Sequence, residues 1–382
     1  MPREIHNGRC FRIAAPQPEP YGDCGHVEYF GSGREAMMGL VLAFEMNDRT
    51  AVLLPAYVPE GLHAPFVRAG CRIVLYPLDE NLDPIWRVLE ELLLKHRPFL
   101  AVIIHYYGLP KPSRRFADLC HRYQTFVVED LAHVLPGRDC PLGHDGDFVL
   151  YSPNKVVGVP DGGILVFRSD APAFSQFHFQ RDWRRILYLI QQMGILLVST
   201  ASRLLPSGRW LTALRLGTGM FLNSYTTLMS YFMHPHCISW VSRWLLKHCD
   251  WEGWASERLA HARRYADMLD PVVFRRFQGT FQAGAGPFGY PVLVFDRASL
   301  IQYLALRGIR GTVLTARWDF IPEDIRVQHS GAVSVLERHF LFPNSQGLSV
   351  EEIETVISVA NEWAKFQPSE RAAEETKLVG SA

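Results

Sequence analysis

FVVEDLAHVLPGRDCPLGHDGDFVLYSPNKVVGVPDGGILVF, residues Phe126 to Phe167, is the stretch whose reading decides the fold. Thr125 to Val128 is a β-branched and aromatic run that reads as a buried strand and ends on an acidic pair, Glu129-Asp130. A second run, Phe148 to Tyr151, leads into Ser152-Pro153-Asn154-Lys155, and a third, Ile164 to Phe167, follows Asp161-Gly162-Gly163. In open α/β sheets, function gathers just beyond the carboxyl ends of strands. One such end here carries a carboxylate and another a lysine. Taken singly, each has an ordinary explanation, a cap for Asp130 and a solvated charge for Lys155.

Working outward, the same grammar repeats on the N-terminal side. Ala51 to Leu54, Arg72 to Leu75 and Leu100 to His105 read as strands of continuous apolar character. Helical patterns separate them: Met37, Leu40, Val41 and Phe44 on one; Ile85, Val88, Leu89, Leu92 and Leu93 on a second; Phe116, Leu119 and Cys120 on a third. Asp83 with Pro84 behind it predicts the start of the second. Strands that alternate with helices and lack polar alternation indicate an α/β domain, with a mostly parallel sheet covered by helices on both faces. From about Asp250 the composition changes. Tyr290 to Phe295 predicts a strand, with helices over Ala298 to Leu306 and Val350 to Trp363, a smaller α+β C-terminal domain. The expected division is an N-terminal arm over 1–30, a large domain over 31–249, a small domain over 250–370 and a frayed tail over 371–382.

Composition narrows the function classes. The chain has 382 residues, 48% hydrophobic, and its 39 Lys and Arg balance 39 Asp and Glu, which argues against a general nucleic-acid surface. The opening MPREIHNGRC has no apolar core and does not read as a signal peptide. Seven cysteines without a CxxC pair fit a reducing cytoplasm. No GxGxxG follows the early strands and no GxxxxGK[ST] or HExxH is present, and His234 and His236 lack a convincing third partner, so no metal site is expected. From Ile186 to Leu204 there is no Lys, Asp or Glu. Helices over the active-site mouth or a subunit interface are the favoured reading of the apolar segment 171–240, with a membrane-surface hairpin as the alternative.

The ordered string of acid, imidazole, Gly-Asp before a strand, Ser, Lys and Gly-Gly resembles the DegT/DnrJ/EryC1/StrS family of pyridoxal-phosphate (PLP) dependent aminotransferases, which have the aspartate aminotransferase fold, fold type I. The resemblance covers about residues 30–168 and 250–365. It implies that Lys155 is the Schiff-base lysine and Asp130 the partner of the pyridine nitrogen. His133 matches the ring-contacting position, Ser152 a phosphate-contacting one, and Asn154 lies beside the lysine. Ser32-Gly33-Arg34 resembles the family's phosphate-binding helix start, with Arg34 in place of a Thr; phosphate contact and a plain surface arginine both fit it. The family's ring-stacking aromatic matches Pro59, so Tyr57, two places early, is the stacking candidate. His105 and Tyr106 resemble the family's His-x-x-Gly and are candidates for the substrate pocket, although His105 also reads as a structural histidine. Asn223 is the nearest match to an asparagine that reaches a neighbouring subunit's cofactor in the family, but the arginine that should follow is missing.

The chemistry agrees with that implication. A buried carboxylate favours a protonated ring nitrogen, and a shielded lysine near positive charge is available as an amine. The resemblance implies a homodimer that moves an amino group from a donor such as glutamate to a keto or aldehyde acceptor, with sugars and cyclitols common in the family. Another PLP reaction, such as dehydration, decarboxylation, aldol cleavage or sulfur removal, is the second reading, and a non-catalytic or membrane-associated scaffold the third.

Overall fold

The computed structural model describes residues 5–6, 13–21, 25–168, 184–204, 234–314 and 323–367. In chain order, the large α/β body is built from β1 (His26–Phe30), α1 (Gly33–Ala43), β2 (Ala51–Pro55), α2 (Glu60–Arg68) and β3 (Arg72–Tyr76). Then follow α3 (Trp86–His96), β4 (Leu100–Ile104), α4 (Ser113–Arg122), β5 (Phe126–Asp130), β6 (Val134–Pro136), β7 (Phe148–Tyr151), α5 (Pro153–Val156) and β8 (Gly163–Phe167). One seven-stranded sheet runs in the order β1-β8-β7-β5-β4-β2-β3. The pairs from β7 to β3 are parallel, and β8 lies antiparallel between β7 and β1. Every residue of β2, β4, β7 and β8 is buried, as continuous apolar strands covered on both faces must be.

Parallel order lines up the carboxyl ends of β2, β4, β5 and β7 along one edge. Register makes this concrete: Ile104 stands beside Asp130, and Asp130 beside Leu150. Because β8 runs the other way, its first residue, Gly163, reaches the same edge. A Cβ at Gly163 would lie 2.2 Å from the Ser32 carbonyl carbon and oxygen, so only glycine lets β8 seat the start of α1 there.

The C-terminal part is a smaller α+β unit. A three-stranded antiparallel sheet is formed by β9 (Arg275–Arg276), β11 (Tyr290–Leu293) and β12 (His339–Phe342), in the order β9-β11-β12. Its core packs Phe274, Tyr290, Phe342 and Trp363 together with Tyr265 of α8 (Trp251–Met268). The helices α9 (Arg297–Ala305), α10 (Ser330–Arg338) and α11 (Val350–Ala364) complete it, and α11 opens on a capping box between Ser349 and Glu352. A short antiparallel pair joins this unit to the large body: β10 (Ala285–Pro287) runs beside β6, with Pro287 opposite Val134.

One expectation needs correction. Helix α3 begins at Trp86 rather than at the Asp83-Pro84 pair. Pro84 instead bridges Leu78, and Asp83 donates its amide to Asp79 Oδ1 at 2.9 Å and takes the Lys111 ammonium at 3.1 Å, so local turn bonds outcompete the cap. Of the 171–240 segment, the described portion holds one 21-residue helix, α6 (Arg184–Leu204), and the approach to α7 (Trp240–Lys247). Helix α6 buries Arg185, Tyr188, Gln192 and Leu196, one stripe at helical spacing, and exposes Ile186, Leu187, Ile190 and Leu197. Among the described residues, no helix is long and apolar enough to cross a membrane.

Candidate active site

Alternation along β5 splits the acidic pair that the sequence presents together. Successive strand residues face opposite sides of a sheet, so Glu129 and Asp130 cannot share a task. Glu129 is fully buried and accepts from the Asp145 amide at 2.6 Å, the Gly143 amide at 3.3 Å and the Gly146 amide. Burial pushes its pKa up, but the His105 bond and charge and the loop amides outweigh it and hold the carboxyl below its usual value. Glu129 staples the 143–146 loop.

Asp130 has a different environment. It is 3% exposed, and Oδ1 accepts from the Ala132 amide at 2.8 Å. Burial raises its pKa; the Lys155 charge, the Ala132 amide and His105 only partly offset this. That is a carboxylate in want of a cation. Lys155 lies in the one-turn helix α5 after β7 and acts electrostatically on both Asp130 and His133.

His133 is half-buried and faces Tyr107 with rings parallel to within 2° and centroids 6.1 Å apart. The Tyr107 amide donates to His133 Nδ1 at 3.3 Å, which places the ring proton on Nε2. Burial, and then the Lys155 charge, push its pKa well below the usual histidine range. The imidazole therefore stays neutral beside the lysine. Tyr107 is the residue the sequence reading missed. It adopts a left-handed φ of 63°, as one residue of a one-turn 3-10 helix, and so brings its ring against both His133 and His339.

The start of α1 forms the other half of the site. Ser32 caps the helix, its Oγ accepting from the Glu35 amide at 3.2 Å. A Cβ at Gly33 would lie 2.4 Å from Ser152 Oγ, so the hydroxyl after β7 touches the helix start. Free amides at a helix N-terminus beside a serine hydroxyl make an anion cup. Arg34 sits on the first turn, its Nε 3.9 Å from where a Gly61 Cβ would be, directed towards the start of α2. Asn154 is half-buried next to Lys155.

The remaining candidates form the wall behind this centre. Tyr57 is 4% exposed; its hydroxyl donates to the Leu314 carbonyl and accepts from Tyr107 at 3.4 Å. The Tyr106 hydroxyl donates to the Tyr57 carbonyl, and the two rings lie 5.5 Å apart. His105 has no exposed surface: Nδ1 accepts from the Lys111 amide at 3.2 Å and Nε2 faces Glu129 at 3.2 Å. With both nitrogens used inside the fold, His105 has the geometry of the structural histidine, the alternative that the sequence also offered. Tyr106, at 3% exposure, likewise supports Tyr57. Asn223 lies outside the described residues.

A further set of buried charged residues supports this centre from behind. Arg258, 3% exposed, donates to the carbonyls of Val156 at 2.8 Å, Pro287 at 2.9 Å and Phe288 at 3.2 Å, and to Gln346 at 2.9 Å. It ties the chain just after Lys155 to the C-terminal unit. The Phe288 amide in turn donates to the His133 carbonyl at 3.0 Å. Behind the cup, Glu35, Asp161 and Arg185 form a buried ion cluster.

Lys155 and the buried Asp130 thus stand at the carboxyl edge of a mostly parallel sheet, beside the start of α1. Residues 20–181 match the DegT/DnrJ/EryC1/StrS aminotransferase family. The fold is similar to a DegT/DnrJ/EryC1/StrS aminotransferase from Brucella abortus, with a TM-score of 0.63 and 16% identity over 90% of this chain and 87% of that one. It is also similar to a putative sugar aminotransferase from Streptococcus pneumoniae in its PLP form, with a TM-score of 0.62 and 13% identity over 95% and 99% of the two chains. Alanine–glyoxylate aminotransferase of Oryctolagus cuniculus is 31% identical over 107 residues, 27% of this chain and 27% of that protein. That match spans about a quarter of the curated relative's length.

Proposed function

We propose that this chain binds pyridoxal 5′-phosphate at Lys155 and works as an aminotransferase on small molecules. The observation that carries the reading is the placement of Lys155 where its charge acts on both Asp130 and His133, at the strand edge that also carries the Ser32-Gly33-Ser152 cup. The residues suit the cofactor: a buried carboxylate whose raised pKa a cationic ring nitrogen would relieve, a neutral imidazole with a flat face, and amides for a phosphate. Bound there, the cofactor would supply an electron-withdrawing ring and an aldehyde carbon that exchanges amines.

The protein's part follows from its own groups. Asp130 would hold positive charge at the ring nitrogen. Lys155 Nζ is the group that takes and returns a proton, acting as base and then acid. His133, kept neutral, does not compete for that proton. The buried aromatic wall of Tyr57, Tyr106 and Tyr107 keeps water from this side of the site. A glutamate-type donor, a keto or aldehyde acceptor and a homodimer complete the proposal.

The test is an absorption spectrum of the purified protein with added PLP, before and after glutamate, beside a Lys155→Ala variant. Transamination requires a lysine-linked cofactor band in the wild type that glutamate converts to that of the amine form. A wild type that never acquires the band refutes the reading. A band that glutamate leaves unchanged while another amino acid is decarboxylated or dehydrated would move the assignment to a different PLP reaction.

A further inference from the structure

The cup at the start of α1 is backed by a buried charge cluster whose central member comes from outside the family-matched region. Arg185 of α6 is 8% exposed and donates through Nη1 to Glu35 Oε1 at 2.9 Å and through Nη2 to Asp161 Oδ2 at 2.7 Å. Glu35 belongs to the first turn of α1, and Asp161 to the turn that sets Gly162-Gly163 against Ser32. Neither carboxylate has any exposed surface. Burial works against the charge on Arg185, but Glu35 and Asp161 more than offset it, and the guanidinium is held cationic.

The guanidinium is placed by the backbone rather than by chance. A Cβ at Gly31 would sit 1.6 Å from Arg185 Nη2, so only glycine leaves the arginine room beneath the cup. The return of the chain joins the same cluster. The His236 amide donates to Glu35 Oε2 at 3.1 Å, and the His236 carbonyl accepts from the Gly31 amide at 2.9 Å. The Ser239 amide and hydroxyl donate to Asp161 at 3.1 and 2.6 Å, and the Ser242 hydroxyl also donates to Asp161. Arg185 near the start of α6 and the chain from His236 to Ser242 are thus tied to one cluster, and the sequence between Arg185 and His236 contains no Asp or Glu.

We propose that Arg185 is a positioning residue for the cofactor's phosphate: it bridges the first turn of α1 to the Asp161 turn and neutralises carboxylate charge directly behind the anion cup. The inference rests on the cofactor reading above and extends it to a residue that does not touch the cofactor. Glutamate in the first turn of α1 would suit the helix dipole but oppose a phosphate bound at the same helix end. Arg185 resolves that conflict. It also connects the start of α6, and through Glu35 and Asp161 the chain at His236 to Ser242, to the cup.

The experiment compares binding of PLP with binding of pyridoxal, which lacks the phosphate, to the full chain and its Arg185→Gln, Arg185→Lys and Glu35→Gln/Arg185→Gln variants. Removing the guanidinium leaves two buried carboxylates behind the phosphate, so Arg185→Gln should bind PLP about tenfold more weakly while pyridoxal changes by less than about threefold. The double variant, with one carboxylate neutralised, should recover most of the PLP loss. Arg185→Lys, which keeps the charge but not the two-armed bridge, should fall between. If Arg185→Gln does not fold, the double variant and Arg185→Lys decide the matter through the same PLP-to-pyridoxal ratio. Equal losses for both ligands, or an unchanged ratio in every variant, would overturn the proposal and leave Arg185 a structural residue. A wild type that binds neither ligand would instead overturn the cofactor reading itself.

Discussion

Asp130→Asn should make the cofactor-free protein more stable while it weakens cofactor binding. The carboxylate is 3% exposed, receives a hydrogen bond from the Ala132 amide at 2.8 Å, and has its pKa raised by burial despite the nearby Lys155 charge. An asparagine keeps the Ala132 bond through its own oxygen and removes the buried charge. The gain is about 1–2 kcal/mol, the scale of the desolvation penalty on one buried polar group. The pH dependence has a definite sign. An acid whose folded pKa exceeds its unfolded value binds more protons when folded, so its contribution to stability is present below the ordinary aspartate value of 3.8 and is lost as pH rises through the folded pKa. That descending limb should vanish in Asp130→Asn. Urea unfolding of cofactor-free wild type and variant, at pH 4 to 8, reads both quantities. A variant less stable than wild type by about 1 kcal/mol or more at pH 7 would refute the reasoning, because Asp130 would then be an anchor of the fold rather than a charge held for a cation.

Three more outcomes follow from the packing. Gly33→Ala places a Cβ 2.4 Å from Ser152 Oγ, so it should cost about 1–3 kcal/mol in thermal or denaturant unfolding and loosen PLP binding. Pairing it with Ser152→Ala should recover part of both losses. Glu129→Gln removes a carboxylate that accepts from three loop amides and faces His105; a loss of about 2–4 kcal/mol is expected, read by denaturant unfolding at neutral pH. Its depressed pKa gives stability that is present above the ordinary glutamate value of 4.5 and lost as pH falls through the folded value, so the wild-type advantage over Glu129→Gln should shrink in acid. Arg258→Met removes the donor shared by the Val156, Pro287 and Phe288 carbonyls, of which Val156 and Pro287 keep bonds from Gln346 and Asn344, and should lower the unfolding free energy by about 1–3 kcal/mol and slow PLP loading.

The large sheet was legible because its strands are buried on both faces and read as unbroken apolar runs, and because Asp130, Ser152 and Lys155 all follow such runs. The order of chemistry at strand ends survives in one dimension. What the sequence hid depends on contacts between distant segments. The β6–β10 pair joins three-residue strands that contain Pro136 and Pro287, far apart in the chain, with no periodicity to mark them. Glu35, Asp161 and Arg185 look like surface charges until the fold brings them together. The His105 assignment turned on whether Nδ1 and Nε2 were already used, which spacing cannot report. Tyr107 was passed over for its neighbour Tyr106 because a positive φ, not the residue type, aims its ring.

Reduction with borohydride after PLP loading, followed by peptide mapping, tests the central claim most directly. The account predicts a phosphopyridoxyl label on the peptide that contains Lys155, absent when Lys155→Ala is treated alike. A label confined to other lysines, or an equal yield in the variant, would contradict it.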